Sequence, residues 1–292
     1  MFRKLLQKTK EKCFISSFQK QLPLLFQDHE PDGFSWLMSQ EDMSQIFEKK
    51  GSRYYKIFVP CQGAFRSFNG EVEEALRKYE EAFPVWIRNL KDSHAQLREL
   101  CFSLDRVTLC KESFASLAWI PEQAEEFTFS LGLWDAFYLN MEGEVQLEVS
   151  VPKDGESFKV RDIDPGGKGW EKVKEISLSK GEMIYIPRNN SVTVKPAKNE
   201  AAKIIVLGFL SYTWGDVIDK VLYVKSPSKK ELKDSVPTEW LKSSQIVSSQ
   251  ENEAVIEKFH RIFTGQLSYS LAKAIIRKEI AIKRGVSGKG NS

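Results

Sequence analysis

The fold prediction for this chain depends most on residues 135–151, which read DAFYLNMEGEVQLEVSV. Two runs of β-forming residues, Phe137–Met141 and Val145–Val151, lie on either side of Glu142-Gly143-Glu144. Apolar and polar side chains alternate along these runs, which is typical of a strand with one buried face. A glycine between two acidic residues favours a tight reversal of the chain. The stretch therefore predicts two strands joined by a hairpin turn.

The rest of the middle of the chain repeats this pattern. Gly181 and Pro187 mark the two ends of another strand, because both residue types favour turns. Further strand-like segments are Arg106–Leu109, Phe114–Ile120, Phe127–Phe129, Met183–Ile186, Val192–Val194 and Lys203–Phe209. Many short strands separated by turns favour a sandwich or barrel over a parallel α/β sheet. The side chains expected in or against its core are Val107, Leu109, Leu139, Met141, Val145, Leu147, Ile184, Ile186, Ile205 and Leu207.

The sequence divides into three zones. Residues 1–104 mix helix and strand patterns, residues 105–212 hold the strands, and residues 213–292 return to helix. Two helices of the last zone, Glu251–Phe263 and Ser268–Lys283, carry apolar stripes. We expect them to pack together and to pair with a second subunit, which makes the protein a homodimer.

The C-terminal helix is basic as well as amphipathic. From Ser268 onward six basic residues stand against one acidic residue, Glu279. Such a helix usually packs its apolar stripe on its own domain or on a twin subunit. Binding of nucleic acid or of another acidic partner is the alternative interpretation of this charge.

Composition indicates an ordinary globular protein. Of the 292 residues, 41% are hydrophobic and 28% are charged, and the formal net charge is +3. This charge is too small to indicate nucleic-acid binding by itself. No apolar run approaches the roughly 18 residues of a membrane span, and the basic N-terminus lacks the apolar core of a signal peptide. The four cysteines lie far apart, so we expect reduced thiols in a cytoplasmic protein without a membrane partner.

Three segments, taken in order and spacing, are similar to a known family. They are residues 129–143, residues 181–191, and Thr213-Trp214 after an apolar run. Together they resemble the JmjC-type, cupin-fold 2-oxoglutarate oxygenases of the ribosomal-oxygenase branch. The resemblance implies an α+β fold with a double-stranded β-helix (cupin or jelly roll) at its centre. It also implies an N-terminal α/β cap and a C-terminal helical region that in relatives often supports dimerisation.

The resemblance also locates the residues that would hold iron and its co-substrate. In that family the first segment carries a His-x-Asp pair, and the second ends in Pro-x-Gly-x-x-His. The matching positions here are Ser130, Gly132 and Ser191, while the keto-acid lysine matches Val145 and its companion aromatic residue matches Leu147. A facial iron site needs two imidazoles and a carboxylate. The resemblance therefore implies vestigial positions, with no metal, no 2-oxoglutarate and no other cofactor.

Other chemistry finds little support in the sequence. The three histidines, His29, His94 and His260, form no His-x-Asp or His-x-Glu pair, and we interpret each as a surface or locally bonded residue. An oxygen-rich metal site is the alternative, built from carboxylates near the motif: Glu125, Glu126, Asp135 and Glu142. The chain has no Gly-x-Ser-x-Gly elbow, no phosphate-binding loop and no Cys-x-x-Cys pair.

The former active-site mouth is expected to carry an aromatic wall. Trp134 lies two residues after Gly132, so we expect it to open onto this mouth. The other residues predicted to line the pocket are Tyr138, Asn140, Tyr185 and Arg188. An emptied pocket with aromatic walls is still able to bind a ligand.

Two functions follow as competing predictions. The first is a catalytically degenerate protein that acts as a binding or scaffold partner for a peptide, a protein or a small molecule. The second is an iron- and 2-oxoglutarate-dependent, or other cupin, oxygenase that hydroxylates a protein or small molecule through an atypical site.

Overall fold

A computed structural model of the protein describes residues 1–27, 34–39, 41–42, 57–61, 64–68, 72–153, 170–197 and 200–212. The chain divides into two units, Met1–Ser211 and Tyr212–Ser292. Only Tyr212 of the second unit is among the described residues. The predictions for the C-terminal helices, the dimer, Thr213-Trp214, His29 and His260 therefore lie outside them.

The described residues form four α-helices and twelve strands. The helices are α1 (Phe2–Lys20), α2 (Val72–Glu80), α3 (Leu90–Ser93) and α4 (Ala95–Thr108), with a 3-10 turn at Ser35–Leu37. The strands are β1 (Leu24–Phe26), β2 (Ile57–Cys61), β3 (Ala64–Phe68), β4 (Val85–Ile87), β5 (Glu112–Ile120), β6 (Phe127–Ser130), β7 (Asp135–Glu142), β8 (Val145–Pro152), β9 (Trp170–Leu178), β10 (Met183–Ile186), β11 (Ser191–Pro196) and β12 (Ala202–Leu210). None of the helices in this part of the chain is both long enough and apolar enough to cross a membrane.

The strands build two antiparallel sheets. The large sheet has the order β1-β10-β7-β12-β5-β4-β2-β3, and the small sheet has the order β6-β11-β8-β9. From β5 onward the chain passes back and forth between the sheets, so strands distant in sequence become neighbours. This order is that of a double-stranded β-helix, and the predicted α+β fold is confirmed. The strands β2, β3 and β4 continue the large sheet, and the predicted boundary after residue 104 falls inside α4.

Two apolar clusters stabilise this fold. The interior cluster lies between the sheets and includes Val145, Leu147 and Ile184. The outer cluster lies on the opposite face of the large sheet, where Leu139 and Leu207 pack with side chains of α1 and α4. Each fully buried aliphatic side chain contributes roughly 1.5–3 kcal/mol, so both faces of the large sheet support its stability.

The predicted core is confirmed except near α4. Seven of the predicted side chains are at most 3% exposed: Leu139, Val145, Leu147, Ile184, Ile186, Ile205 and Leu207. Met141 and Val107 are partly buried against the outer cluster. Leu109 is 49% exposed, so its placement in the core is wrong.

The predicted strand Arg106–Leu109 is also wrong, because α4 continues through Thr108. Its buried residues Leu97, Leu100 and Leu104 recur at helical spacing. The hydroxyl of Thr108 donates to the carbonyl of Leu104 at 3.0 Å, a bond that a helix provides. Local β propensity was overridden by the amphipathic helix that precedes these residues.

Gly143 reverses the chain, but it does not join a hairpin. Its φ angle is 74°, and a Cβ added there would lie 2.2 Å from the carbonyl oxygen of Ala201. After this turn β8 enters the small sheet, whereas β7 lies in the large sheet. The hairpin prediction is therefore wrong, since a tight turn does not determine whether the flanking strands pair.

Candidate functional site

The three predicted vestigial metal positions come together where β6 ends and β11 begins. Ser130 and Ser191 are direct partners in the antiparallel register, which places their Cα atoms roughly 4.5–5.5 Å apart. The carbonyl oxygen of Gly132 accepts a hydrogen bond from the backbone N–H of Asn189 at 2.7 Å. Two segments distant in sequence thus meet at one end of the barrel.

The side chain that faces the barrel interior on β11 is Val192, not Ser191. Val192 and Val194 belong to the interior cluster, and side chains alternate along a strand. Ser191 therefore lies on the other face, with Thr193, whose hydroxyl is 2.8 Å from that of Thr128. Counted from Pro187, the pattern Pro-x-Gly-x-x-His also ends at Val192. By that count the histidine of the pattern matches Val192 rather than Ser191, and these two residues lie on opposite faces of β11.

Gly132 occupies a tight turn. The backbone N–H of Trp134 donates to the carbonyl of Leu131 at 3.2 Å across it. The φ angle of Gly132 is +59°, and an added Cβ would meet nothing within 4 Å. A side chain there has room but imposes a strained backbone. The turn fits glycine better than the aspartate of the family's His-x-Asp pair.

The two vestigial co-substrate positions are buried among apolar side chains. Val145 and Leu147 are both 0% exposed and belong to the interior cluster. On β9 they pair with Leu178 and Ile176, and on β11 Leu147 pairs with Val194. Among the described members of this cluster there is no cation to balance a carboxylate placed there, and an unbalanced buried charge costs several kcal/mol.

Aromatic rings cover the interior cluster near the mouth of the barrel. Phe114 lies directly over Gly208, since a Cβ added to Gly208 would approach its ring to 2.1 Å. Trp134 meets the same ring edge-on, with 4.9 Å between centroids. The guanidinium carbon of Arg88 lies 5.6 Å from the Phe114 centroid, and burial lowers the pKa of Arg88. Sequence reasoning missed Phe114, Arg88 and Val192. The available signal for Val192 was the spacing counted from Pro187; the contacts of Phe114 and Arg88 depend on residues distant in sequence.

The five residues predicted to line one pocket do not line one. Tyr138 and Trp134 contact the interior cluster, whereas Tyr185 belongs to the outer cluster. In the pairing of β10 with β7, Tyr138 is opposite Ile184 and Tyr185 is opposite Phe137, so the two tyrosines lie on opposite faces. Residue type alone could not assign these faces. Burial raises the pKa of Tyr138.

Asn140 and Arg188, the other members of that predicted set, have structural contacts. The amide nitrogen of Asn140 donates to the carbonyls of Gly143 and Leu178, at 2.8 and 2.7 Å. Asn140 therefore holds the β7–β8 turn against the end of β9. The backbone N–H of Arg188 donates to Asp135 at 3.2 Å.

Asp135 is the centre of a buried polar cluster on the outer face. Its carboxylate accepts hydrogen bonds from the Tyr185 hydroxyl at 2.8 Å and the Ser211 hydroxyl at 3.1 Å, besides the Arg188 backbone. Burial raises the pKa of Asp135, although these donors oppose the shift. Burial and the nearby carboxylate raise the pKa of Tyr185. The cluster joins β7, β10 and the end of β12, which indicates a structural role.

The alternative oxygen-rich metal site does not assemble. Asp135 and Glu142 stand at the two ends of β7, roughly 24 Å apart at about 3.4 Å per residue. Glu125 and Glu126 are exposed, and Glu142 pairs with Lys203. Among the residues that the structure describes, no group of three or more His, Cys, Asp or Glu side chains is arranged to hold a metal.

His94 is buried and has a local role. It is 7% exposed and caps α4, where its Nδ1 accepts from the backbone N–H of Leu97 at 3.4 Å. Its Nε2 lies 3.4 Å from a carboxylate oxygen of Asp42. The prediction of a locally bonded histidine is right in this case, but the residue is not on the surface.

The residues present do not fit iron or 2-oxoglutarate. The positions that the resemblance assigns to the iron ligands carry Ser130, Gly132 and Ser191, or Val192 when the pattern is counted from Pro187. None supplies an imidazole or a carboxylate, which the facial iron site requires. The position of the keto-acid lysine holds a buried valine.

One curated protein shows a clear sequence match. The chain is 26% identical over 156 residues to the bifunctional lysine-specific demethylase and histidyl-hydroxylase NO66 of Dictyostelium discoideum. The match covers 50% of this chain and 29% of that protein, so the chain spans less than a third of its relative. It confirms the predicted resemblance to the oxygenase family. No protein-family profile matches the chain.

Solved structures show weaker likenesses. The X-ray structure of Escherichia coli YcfD is 14% identical, with a TM-score of 0.49, and the match covers 87% of this chain and 69% of YcfD. The YcfD ribosomal oxygenase in complex with cobalt and 2-oxoglutarate is 12% identical, with a TM-score of 0.48. That match covers 91% of this chain and 70% of YcfD. The Cnp3 cupin domain of Schizosaccharomyces pombe is 13% identical, with a TM-score of 0.25. That match covers 35% of this chain and 58% of the Cnp3 domain. The assignment of the double-stranded β-helix rests on the strand order of the chain itself.

Proposed function

We propose that this relative of the cupin-fold oxygenases is a catalytically degenerate binding or scaffold protein. It holds a peptide, a protein or a small molecule and carries out no Fe(II)/2-oxoglutarate chemistry. The observation that carries the proposal is the burial of Val145 and Leu147 in the interior cluster. An apolar interior at the keto-acid position disfavours the anionic co-substrate.

The surface near the mouth supports a binding role. Leu133 is 53% exposed, and its neighbour Trp134 covers Phe114 beside the cation of Arg88. Aromatic residues and arginine are enriched at contact surfaces between proteins. The mouth therefore offers contacts to a partner without offering ligands to a metal.

Lysine demethylation and histidine hydroxylation, the activities in the relative's name, are the alternative function, through an atypical site. The test is iron loading of the purified full chain under anaerobic conditions, followed by metal analysis and a 2-oxoglutarate decarboxylation assay. The Dictyostelium relative serves as the positive control. We expect neither stoichiometric iron nor keto-acid turnover. Stoichiometric iron with decarboxylation would refute the binding-protein proposal and support the oxygenase.

Restoring the ligands tests the alignment of the site. Ser130 and Ser191 are direct partners in the register, and substituents at directly paired positions project from the same face of a sheet. We expect the triple variant Ser130→His/Gly132→Asp/Ser191→His to bind Co²⁺, monitored by its visible absorption, at least about tenfold more tightly than wild type, the effect of one ligand interaction or more. The matched control Ser130→His/Gly132→Asp/Val192→His places its second imidazole on the opposite face of β11 and should show no comparable gain. Equal affinity in both triple variants would contradict the assignment of Val192 to the interior.

A further inference from the structure

A cavity of about 390 Å³ lies on the outer face of the large sheet, away from the barrel interior. Its apolar walls are Leu117 of β5, Met141 of β7 and Met38 of the segment after the 3-10 turn. Leu117 and Met38 belong to the outer cluster, and Met141 packs against it. The volume falls within the roughly 300–1,000 Å³ of small-molecule sites. Methionine side chains adapt to the shape of a ligand.

Charged groups at the cavity favour an anion. Lys203, Lys180 and Glu142 line it, and Lys203 is paired with Glu142. The Lys203 side chain is 15% exposed, whereas its partner Glu142 is 49% exposed. The Lys203 side chain is thus mostly covered, while the side chain of its counter-ion is half exposed, so solvent weakens the pair. A ligand carboxylate in the cavity would compete with Glu142 for Lys203.

One serine at the edge of the cavity is already engaged. The Ser39 hydroxyl donates to the carboxylate of Asp42 at 2.7 Å and accepts from the backbone N–H of Asp42 at 3.1 Å. The hydroxyl proton of Ser39, one of the two serines that line the cavity, is thus engaged, and we assign recognition of a charged group to Lys203. The apolar walls would contact the remainder of the ligand.

We propose that this cavity binds a small molecule with one carboxylate and an apolar chain. The carboxylate contacts Lys203, and the chain lies against Met38, Met141 and Leu117. The site is outside the barrel, so it does not depend on the loss or retention of iron chemistry. It gives the chain a ligand site on the face of the sheet opposite the one that the fold's enzymes use.

The probe is octanoate, compared with the neutral 1-octanol, and the readout is the NMR signal of methionine methyl groups. The chain has five methionines, and two of them, Met38 and Met141, line the cavity. Met183 is 0% exposed and serves as an internal reference. We expect saturable shifts of Met38 and Met141 with octanoate and no shift of Met183. The absence of shifts at the two cavity methionines, or equal affinity for 1-octanol, overturns the proposal.

Charge variants give effects of opposite sign. Lys203→Gln should weaken octanoate binding about tenfold, the loss of one hydrogen bond to a charged group. Glu142→Gln should tighten it severalfold, because Lys203 then has no internal competitor. Lys172→Gln, an exposed lysine of β9 paired with Glu148 and Glu175, is the matched control and should change nothing. Weakening by Glu142→Gln, or an unchanged affinity in Lys203→Gln, would contradict the proposal.

Discussion

The two faces of the large sheet differ in what they bury. The interior face packs apolar side chains against Val145 and Leu147 of the small sheet, the positions that the resemblance assigns to the co-substrate. The outer face, under α1 and α4, buries a carboxylate with three hydrogen-bond donors and borders a cavity with two lysines. The buried carboxylate with its donors is thus a feature of the outer face, whereas the interior cluster is apolar. The two faces of one sheet can therefore bury different kinds of group.

The largest expected effect tests whether the interior is as well filled as the outer face. Leu147 on the interior and Leu139 on the outer face are both 0% exposed. We expect Leu147→Ala and Leu139→Ala each to lower the free energy of unfolding by about 2–5 kcal/mol, measured by urea denaturation. If Leu147→Ala alone lowered the free energy of unfolding by less than about 1 kcal/mol, the interior would retain a pocket. The interior would then be less well filled than the outer face.

A smaller effect concerns the buried carboxylate. Asp135→Ala leaves the Tyr185 hydroxyl and the Arg188 backbone N–H without their acceptor, and it should cost about 1–3 kcal/mol in the free energy of unfolding. The exposed Asp92 provides the matched control; Asp92→Ala should change stability by less than about 0.5 kcal/mol. If both substitutions lowered the free energy of unfolding equally, the polar cluster around Asp135 would have no structural role.

Asp135 also predicts a pH dependence. Its pKa in the folded protein is raised above the ordinary value of 3.8, chiefly by burial. The folded state then binds the proton more tightly than the unfolded state does, so this group's contribution is greatest below pH 3.8 and declines as pH rises through the folded pKa. Asp135→Asn should lack that decline when unfolding free energies are compared at pH values on both sides of 3.8. If the unfolding free energies of wild type and variant changed with pH in parallel, the assignment of this pH dependence to Asp135 would be contradicted.

The smallest expected effect is a gain. Leu109 ends α4 with a φ angle of 55° and is 49% exposed. Leu109→Gly should raise stability by about 0.5–1 kcal/mol, because glycine adopts this conformation without strain. Leu109→Ala keeps the strain and should show no comparable gain in thermal unfolding. A loss in Leu109→Gly would indicate that the leucine side chain makes a stabilising contact.

Alternation along single strands was the part of the structure most accessible from sequence. It correctly placed Leu139, Leu147 and Ile184 in the core, because a period of two survives in any antiparallel sheet. It could not tell which of two buried faces a residue occupies, since both faces of the large sheet are apolar. This is why Tyr138 and Tyr185, both predicted at one pocket, lie on opposite sides.

The candidate site shows the same limit at the scale of one residue. The resemblance predicted that residues of β6 and β11 meet at one end of the barrel. In the structure, Ser130 pairs with Ser191 there. The inward position on β11 is nevertheless Val192. Phe114 over Gly208 was out of reach, because its contact depends on a partner 94 positions away in the sequence. The cavity on the outer face likewise depends on segments that meet only in the folded chain.

The central position of β12 determines how mechanical load enters the molecule. This strand lies between β5 and β7 in the large sheet, and Ser211, just after it, is fastened to Asp135. Tension applied to the chain beyond Ser211 runs along β12 and must shear the hydrogen-bonded ladders on both of its sides at once, since these bonds lie across the direction of pull. The residues after Ser211 are therefore attached to a strand that is hydrogen-bonded along both of its edges.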